Sequence, residues 1–210
     1  MKALSAFYPR VLPYLPGCSE PFASQVILDA AIDFCEKSLT LRQNLDTFRT
    51  VIGTIEYDLD PPSTQHDINR VMSVAVNYKE LAAGMAEVVR NDLPTANATP
   101  LAFYTSRADS VFVLRLTPPP DAVYPVVVGV SLSPARTATS LDDDLYNQWI
   151  DPIVSGALAR AMQMPDQPFT NFTQARYLLD SAAKQTISSR IDGNYGLIRG
   201  SMSVRSRSFA

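Results

Sequence analysis

The clearest helical pattern of the chain lies in residues 141–190, LDDDLYNQWIDPIVSGALARAMQMPDQPFTNFTQARYLLDSAAKQTISSR. Ser140 or the acidic triplet 142–144 predicts a helix start, because these side chains cap free N–H groups and carboxylates favour the positive end of the helix dipole. Capping also explains the triplet more simply than metal binding does. An apolar face follows at helical spacing: Leu145, Trp149, Ile153, Gly156 and Ala157.

A second helix is predicted directly behind the first. Pro152 either kinks the first helix or makes Asp151 a new start, and Pro165 ends it. Thr170 is a candidate N-cap for the second helix, and Gly193 is a candidate stop. Its apolar positions again follow the i, i+3/i+4 rule: Phe172, Ala175, Leu179, Ala183 and Ile187. Two such helices joined by a few residues pack antiparallel, and they need a third helix to close a core.

The third helix is predicted over residues 19–43. Ser19 is a good N-cap, and Glu20 and Pro21 suit a first turn. The pattern then gives one continuous apolar face: Phe22, Val26, Ile27, Ala30, Ala31, Phe34 and Leu41.

The N-terminal residues 1–18 precede this helix. Pro9, Pro13 and Pro16 break up any signal-peptide core, so we expect an extended arm. Its apolar residues are too many for a solvated tail, and we expect them to pack on the body or on a neighbouring subunit: Phe7, Tyr8, Val11, Leu12, Tyr14 and Leu15.

Between the predicted helices, the spacing of the apolar residues changes from the helical period to the alternation of β-strands. In residues 47–59, β-branched and aromatic residues alternate loosely with polar ones, and Gly53 supplies a turn. Residues 69–78 predict a strand with one strongly apolar face. Residues 101–116 predict a hairpin. The last strand, residues 124–132, is apolar on both faces and is predicted to be central. Residues 79–91 fit a short helix or a simple connection equally well.

The predicted fold is therefore α+β, a helical bundle with an inserted antiparallel β-domain and extended termini. One N-terminal and two C-terminal helices make the bundle. The predicted division is an extended arm at 1–18, the bundle at 19–43 and 141–191, the β-domain at 44–140 and a flexible tail at 192–210.

Composition narrows the class of protein. The chain has 210 residues, 46% of them hydrophobic, which is enough for a substantial core in one or two domains. A formal net charge of -3 argues against a dedicated nucleic-acid binder. Two cysteines, Cys18 and Cys35, predict reduced and partly buried thiols. No apolar run approaches about eighteen residues, so no membrane span is predicted.

No catalytic, cofactor or metal site is predicted. His66 is the only histidine, and because triads and zinc sites need partners we expect a solvated loop histidine. Asp58 and Asp60 adjoin a strand end and predict exposed carboxylates more than a catalytic pair. The phosphate-loop, dinucleotide and nucleophile-elbow motifs are absent from the sequence. An enzyme is the weak hypothesis.

The C-terminal tail, NYGLIRGSMSVRSRSFA at 194–210, carries three arginines and no acidic residue. A disordered end and a binding arm both fit this composition. As an arm it would order against an acidic groove of a partner. The arginines Arg199, Arg205 and Arg207 would then give charge contacts, with anchors at Leu197, Ile198, Met202 and Phe209.

Three stretches resemble the head-to-tail adaptor (connector) proteins of tailed bacteriophages. They are FYPRVLPYLPGCSEPFASQVILDAAIDFCEKSL at 7–39, GTIEYDLDPP at 53–62 and INRVMSVAV at 68–76. The three stretches in this order resemble the family more specifically than any single stretch does.

The resemblance implies a non-enzymatic virion protein at the head-tail junction, assembled in the host bacterial cytoplasm. Such adaptors form a homo-dodecameric ring beneath the portal protein and prolong its DNA channel, through which DNA passes without specific binding. Their β-domain meets a tail nozzle or tail-tube protein, and no cofactor is implied. The C-terminal tail commonly inserts into the portal, which maps portal binding onto Arg199, Met202, Arg205, Arg207 and Phe209.

Two alternatives stay open. One is another phage tail structural protein, tail-completion or nozzle-associated, which would bind the tail and not the portal. The other is a small enzyme or binding module, which would be a monomer with a convergent polar pocket.

Overall fold

The computed structural model describes residues 1–84, 96–108 and 111–195. The fold is mixed α+β, as predicted. In the described residues there are five α-helices: α1 (Tyr8–Val11), α2 (Glu20–Ser38), α3 (Asp143–Asn147), α4 (Ile150–Met162) and α5 (Phe172–Tyr195). Helices α2, α4 and α5 contact one another.

The N-terminal residues are helical, so the prediction of an extended arm is wrong. A 3-10 turn (Leu4–Phe7), α1 and a second 3-10 turn (Leu12–Tyr14) follow one another. Pro9 and Pro13 each stand in the first positions of a turn, where the missing N–H has no partner to lose. The expected packing on the body is confirmed for Phe7, Val11 and Leu15, which are fully buried, whereas Tyr14 is 57% exposed.

Helix α2 is the centre of the helical part. Ser19 occupies its N-cap position, as predicted, but its side chain makes no cap hydrogen bond. It ends at Ser38, five residues before the predicted end, because Leu39 adopts a left-handed conformation with φ 54° and its N–H donates to the Cys35 carbonyl. Ten of its residues are buried, so the helix is enclosed on more than one side: Ala23, Val26, Ile27, Leu28, Ala30, Ala31, Ile32, Phe34, Cys35 and Ser38.

The strands of the described residues form three sheets. A two-stranded sheet pairs β1 (Lys2–Ala3) with β11 (Ser140–Leu141). A five-stranded sheet has the order β2–β10–β5–β6, with β3 also on β10: β2 (Arg42–Asn44), β3 (Phe48–Arg49), β5 (His66–Val76), β6 (Lys79–Glu80) and β10 (Pro125–Pro134). A four-stranded sheet has the order β4–β9–β8–β7: β4 (Glu56–Leu59), β7 (Ala82–Ala83), β8 (Ala102–Ala108) and β9 (Val111–Thr117).

Several strand predictions are confirmed. Strand β5 overlaps the predicted strand but starts three residues earlier and ends two residues earlier, and β8 and β9 form the predicted antiparallel hairpin. Strand β10 is central, as predicted, since it pairs with β2, β3 and β5. Residues 79–84 are strands and a connection, not a helix, while residues 85–91 of that segment lie outside the described residues.

Two β predictions need correction. The sheets are antiparallel except for β7 and β8, which run parallel. The segment 47–59 contributes to two sheets, because β3 pairs with β10 and β4 pairs with β9. Gly53 does supply a turn, with φ 77°, but the turn carries the chain from one sheet to the other.

Two apolar cores result. One joins the N-terminal turns to α2, α3, α4 and the start of α5. The other fills the space between the two larger sheets. Leu41 packs against both cores and therefore joins them at the exit from α2.

Candidate functional site

The helices α3 and α4 replace the single helix predicted after Ser140. Trp149 breaks the helical run, and α4 starts at Ile150, close to the predicted new start at Asp151. Pro152 stands in the first turn of α4, where it does not break the helix. Gly156 lets α4 approach α2 closely, since a Cβ at this position would lie 3.4 Å from the Ala30 Cβ.

Helix α5 begins and ends at other residues than the sequence predicts. Its cap is Asn171, whose Oδ1 accepts a hydrogen bond from the Gln174 N–H at 3.0 Å. Thr170, the predicted cap, instead accepts from the Gln167 N–H and donates to the Met164 carbonyl. Gly193 lies inside the helix, which runs to Tyr195.

The burial of α5 is the reverse of that of an ordinary amphipathic helix. Its fully buried residues are small or polar, namely Ala175, Thr186 and Ser189. Leu178 is half-buried against the helical core, whereas five other large apolar side chains are exposed. Together we name these five the α5 outer face: Phe172, Tyr177, Leu179, Ile187 and Ile191. Phe172 is 61% exposed and Ile187 63%. The predicted apolar face therefore exists, but most of it points to solvent.

Hydrogen bonds within the helix explain why hydroxyl groups can be buried on the inner side of α5. Thr186 Oγ1 donates to the Ala182 carbonyl at 2.7 Å, and Ser189 Oγ donates to the Gln185 carbonyl at 2.8 Å. Each hydroxyl is thus satisfied within its own helix, so burial costs little.

A groove of about 420 Å³ runs between α2, α4 and α5; we name it groove 1. Leu179 and Ile187 of the α5 outer face form one wall, and Phe34 of α2 contributes to the other. Asp33 in this groove binds Lys37 at 2.6 Å and Arg160 at 3.3 Å, and Arg190 lines the groove as a further base.

A second groove, groove 2, of about 500 Å³, lies between the N-terminal turns, α2 and the chain after β10. Pro21, Ser24, Gln25 and Leu28 of α2 line it. At 3.6 residues per turn these positions lie on the opposite side of α2 from the groove 1 residues Ala30, Asp33, Phe34 and Lys37. The molecule thus has one groove on each side of its central helix.

A third groove, of about 470 Å³, lies in the β part. Asp46, Asp58 and Asp60 line it together with apolar residues. Asp58 and Asp60 are exposed, as predicted for a strand end.

His66 is buried, so the prediction of a solvated loop histidine is wrong. Its Nδ1 lies 2.8 Å from Ser63 Oγ, and its Nε2 lies 2.8 Å from Asp142 Oδ2. Asp142 therefore holds His66 and makes no side-chain cap on α3. The order Ser–His–Asp resembles a hydrolase triad, yet in the described residues neither Ser63 nor His66 lines any of the three grooves. The contacts fasten the start of β5 to the start of α3.

The cysteines are free, as predicted, with Cys18 half-buried and Cys35 buried. Burial raises the pKa of the Cys35 thiol far above its usual range, and the nearby charges of Asp142 and Glu36 raise it further. Burial also raises the pKa of Cys18. Both are therefore neutral thiols near pH 7 and poor nucleophiles.

The predicted portal-binding residues Arg199, Met202, Arg205, Arg207 and Phe209 lie outside the described residues. Within the described part of the chain, His, Cys, Asp and Glu form no cluster of three or more that suits a metal ion. None of the helices there is long and apolar enough to span a membrane.

An exposed apolar helix face and open grooves are typical of structural and interaction proteins, which bind other proteins through their surfaces. The model of the SU10 adaptor protein family matches residues 4–205, nearly the whole chain. The chain therefore belongs to the SU10 adaptor protein family and is a structural head-tail adaptor of a bacteriophage. A comparison with curated proteins finds no significant match.

Proposed function

We propose that this chain forms a homo-oligomeric ring, a dodecamer, that joins the portal protein to the tail and prolongs the DNA channel. The match of the adaptor family to residues 4–205 is the observation that carries this proposal. The ring lies at the head-tail junction of the virion and is assembled in the host bacterial cytoplasm. No catalysis and no cofactor are needed for this role.

The exposed apolar side chains of α5 support the formation of an oligomer. Single exposed apolar residues are common on monomers, but a row of five along one helix is typical of a surface that another protein covers.

The C-terminal tail, residues 192–210, is the portal-binding segment of this proposal. Arg199, Arg205 and Arg207 supply charge contacts to acidic groups of the portal, and Met202 and Phe209 supply apolar anchors. The family match extends to residue 205, so most of this segment belongs to the matched sequence. On the other side, the inserted β-domain, residues 44–140, meets a tail nozzle or tail-tube protein.

DNA passes through the ring without specific binding. A net charge of -3 suits a channel wall, because lysines and arginines that neutralise phosphates would hold the DNA in place.

Portal binding tests the proposal directly. The full-length protein and a chain ending at Tyr195, where α5 ends, are each mixed with the cognate portal and examined by native mass spectrometry and negative-stain microscopy. We expect the full-length protein to decorate portal rings and the shortened chain to fail. A full-length variant with Arg199, Arg205 and Arg207 all changed to Glu is the matched control, since it keeps the length and the apolar anchors.

Two outcomes contradict the proposal. If neither chain binds the portal but the full-length protein binds tail components, the protein is a tail-completion or nozzle-associated subunit. If the shortened chain binds the portal as well as the full-length protein, the portal site lies outside the tail.

A further inference from the structure

The groove in the β part, which we name groove 3, combines apolar side chains with unpaired acids. Phe48 is half-buried and Leu59 is buried, and both line it together with the exposed carboxylates of Asp46, Asp58 and Asp60. Among the described residues, no base lines groove 3 and no ion pair involves these three carboxylates. A segment that fits this groove is therefore both basic and apolar.

The two bases nearest to groove 3 in the sequence do not line it. Arg42 Nε donates to the Leu39 carbonyl at 2.9 Å. Arg49 follows Phe48 in β3, and because successive side chains of a strand alternate, it lies on the opposite face from the groove. The negative charge of groove 3 is thus not neutralised by its own strands.

The C-terminal segment 196–210 has the complementary composition, with three arginines and no acidic residue. Its end, SVRSRSF at 203–209, has Arg205, Arg207 and Phe209 at every second position. In an extended chain these three side chains share one face. The segment can therefore present two positive charges and a large apolar ring to one side.

The charges of the groove and of this segment match in spacing. Asp58 and Asp60 are exposed and two residues apart at the end of β4, with the buried Leu59 between them. Two residues of a strand rise about 7 Å, so an extended segment places Arg205 and Arg207 at the same interval. Both arginines can then meet both carboxylates at once.

Groove 3 also borders two outer strands. Gln43 of β2 and Asp58 of β4 line it, and each of these strands stands at the end of its sheet order. The outer strand of a sheet has backbone groups that no neighbouring strand pairs on one side, and an extended peptide can add to such an edge.

The C-terminal segment of the same chain is long enough to reach groove 3. Phe22 near the start of α2 stacks on Phe169 just before α5, and Lys37 and Arg190 near the ends of the two helices line groove 1 together. Helices α2 and α5 therefore end on the same side of the molecule. Gln43 lies five residues beyond the end of α2, at most about 18 Å away. The fifteen residues after α5 can span up to about 50 Å.

We propose that residues 196–210 bind in groove 3 of the same chain before the protein meets the portal. Arg205 and Arg207 pair with Asp58 and Asp60, and Phe209 packs against the apolar side chains of the groove. In the proposed function the portal takes up the same segment, so groove 3 and the portal bind it in turn. The contact belongs to the free protein and does not require the ring.

Cross-linking within the free full-length protein tests the contact. In a Cys18→Ser background, where the remaining Cys35 is buried, Pro62→Cys in groove 3 is combined with Ser206→Cys, which lies between the two arginines. A short bismaleimide is added, and the linked peptides are followed over time by mass spectrometry. Tyr78→Cys replaces Pro62→Cys in the matched control, because Tyr78 is exposed in the β part but does not line groove 3. We expect linkage within one chain to be about tenfold faster with Pro62→Cys, because binding raises the effective concentration of the segment.

Two outcomes of this experiment overturn the contact. Equal rates for Pro62→Cys and Tyr78→Cys show that the segment does not prefer groove 3. Linkage between two chains, at a rate that rises with protein concentration, makes a second copy the source of the occupant. The portal is absent from these measurements, so their failure leaves the proposed ring standing, and a failure of portal binding leaves this contact standing.

Charge exchange supplies a second measurement in the same cross-linking chain. Asp58→Lys with Asp60→Lys should lower the linkage rate to that of the control, because like charges then oppose each other. Adding Arg205→Glu with Arg207→Glu should restore the rate. Asp67→Lys is the matched control, since Asp67 is exposed but does not line groove 3, and the rate should stay unchanged. Failure of the exchange to restore linkage, or an equal loss from Asp67→Lys, counts against the contact.

Discussion

Helices α2 and α5 are the two longest of the described residues, and they bury opposite kinds of side chain. Helix α2 buries large apolar side chains, such as those of Ile27 and Phe34, in the core of its own chain. Helix α5 turns Ala175, Thr186 and Ser189 inward and leaves Phe172 and Ile187 in solvent. Both helices have apolar residues at helical spacing, so the same pattern builds the core of the chain in one case and leaves an exposed apolar face in the other.

The largest expected effect comes from α2. Ile27→Ala removes a fully buried side chain from the helical core and should lower the free energy of unfolding by about 2–5 kcal/mol. Urea denaturation followed by circular dichroism measures this change. A loss comparable to that of an exposed α5 residue would contradict the central position of α2.

The next effect comes from the contact that joins the start of β5 to the start of α3. Asp142 lies close enough to Cys35 for its charge to raise the pKa of that thiol, and it binds buried His66. Asp142→Ala leaves His66 Nε2 without its partner and should cost about 1–3 kcal/mol of stability. Asp144→Ala is the control, because Asp144 is exposed in the same turn, has no ion pair among the described residues and should change stability by no more than about 0.5 kcal/mol. Equal losses for the two variants would show that the His66 contact has no special weight.

A smaller effect is expected at the start of α5. Asn171→Ala removes the side chain that caps the Gln174 N–H and should cost about 1 kcal/mol, measured as a lower midpoint of thermal unfolding. Gln174→Ala keeps that N–H and its cap, so its midpoint should not fall. An unchanged midpoint for Asn171→Ala would remove Asn171 as the cap.

The smallest effect on folding is expected from the α5 outer face. Ile187→Ala should change the free energy of unfolding by no more than about 0.5 kcal/mol, because this side chain is 63% exposed. The same variant should weaken ring formation on the portal, as measured by native mass spectrometry. If it instead destabilises the free protein as much as Ile27→Ala does, then α5 belongs to the core and the contrast with α2 disappears.

Much of the fold was predictable because its signals are local. Ser19 marks the start of α2, and alternation with one strongly apolar face at 69–78 marks β5. The apolar run at 124–132 marks the central strand β10. The end of α2 was missed because Leu39 takes a left-handed conformation that glycine normally signals. The helical N-terminal turns were missed because proline suits both an extended segment and the first turn of a helix.

The surfaces were harder to predict than the elements. Periodicity located the apolar face of α5 but not its direction, since only the packing of small residues such as Ala175 against the body decides which side faces inward. The surroundings of His66 were missed because Asp142 is 76 residues away in the chain. The role of the tail was predicted from its composition and from the resemblance to the adaptor family, and residues 196–210 lie outside those the structure describes.

Strand β10 leads from the sheets directly into the helical part. Its last seven residues are all buried, and it contacts α2 as well as β5. Leu41 also packs against both cores. At β10 and at Leu41, therefore, no flexible linker separates the sheets from the helices. The sheets and α2 are thus joined by continuous packing along β10 and at Leu41.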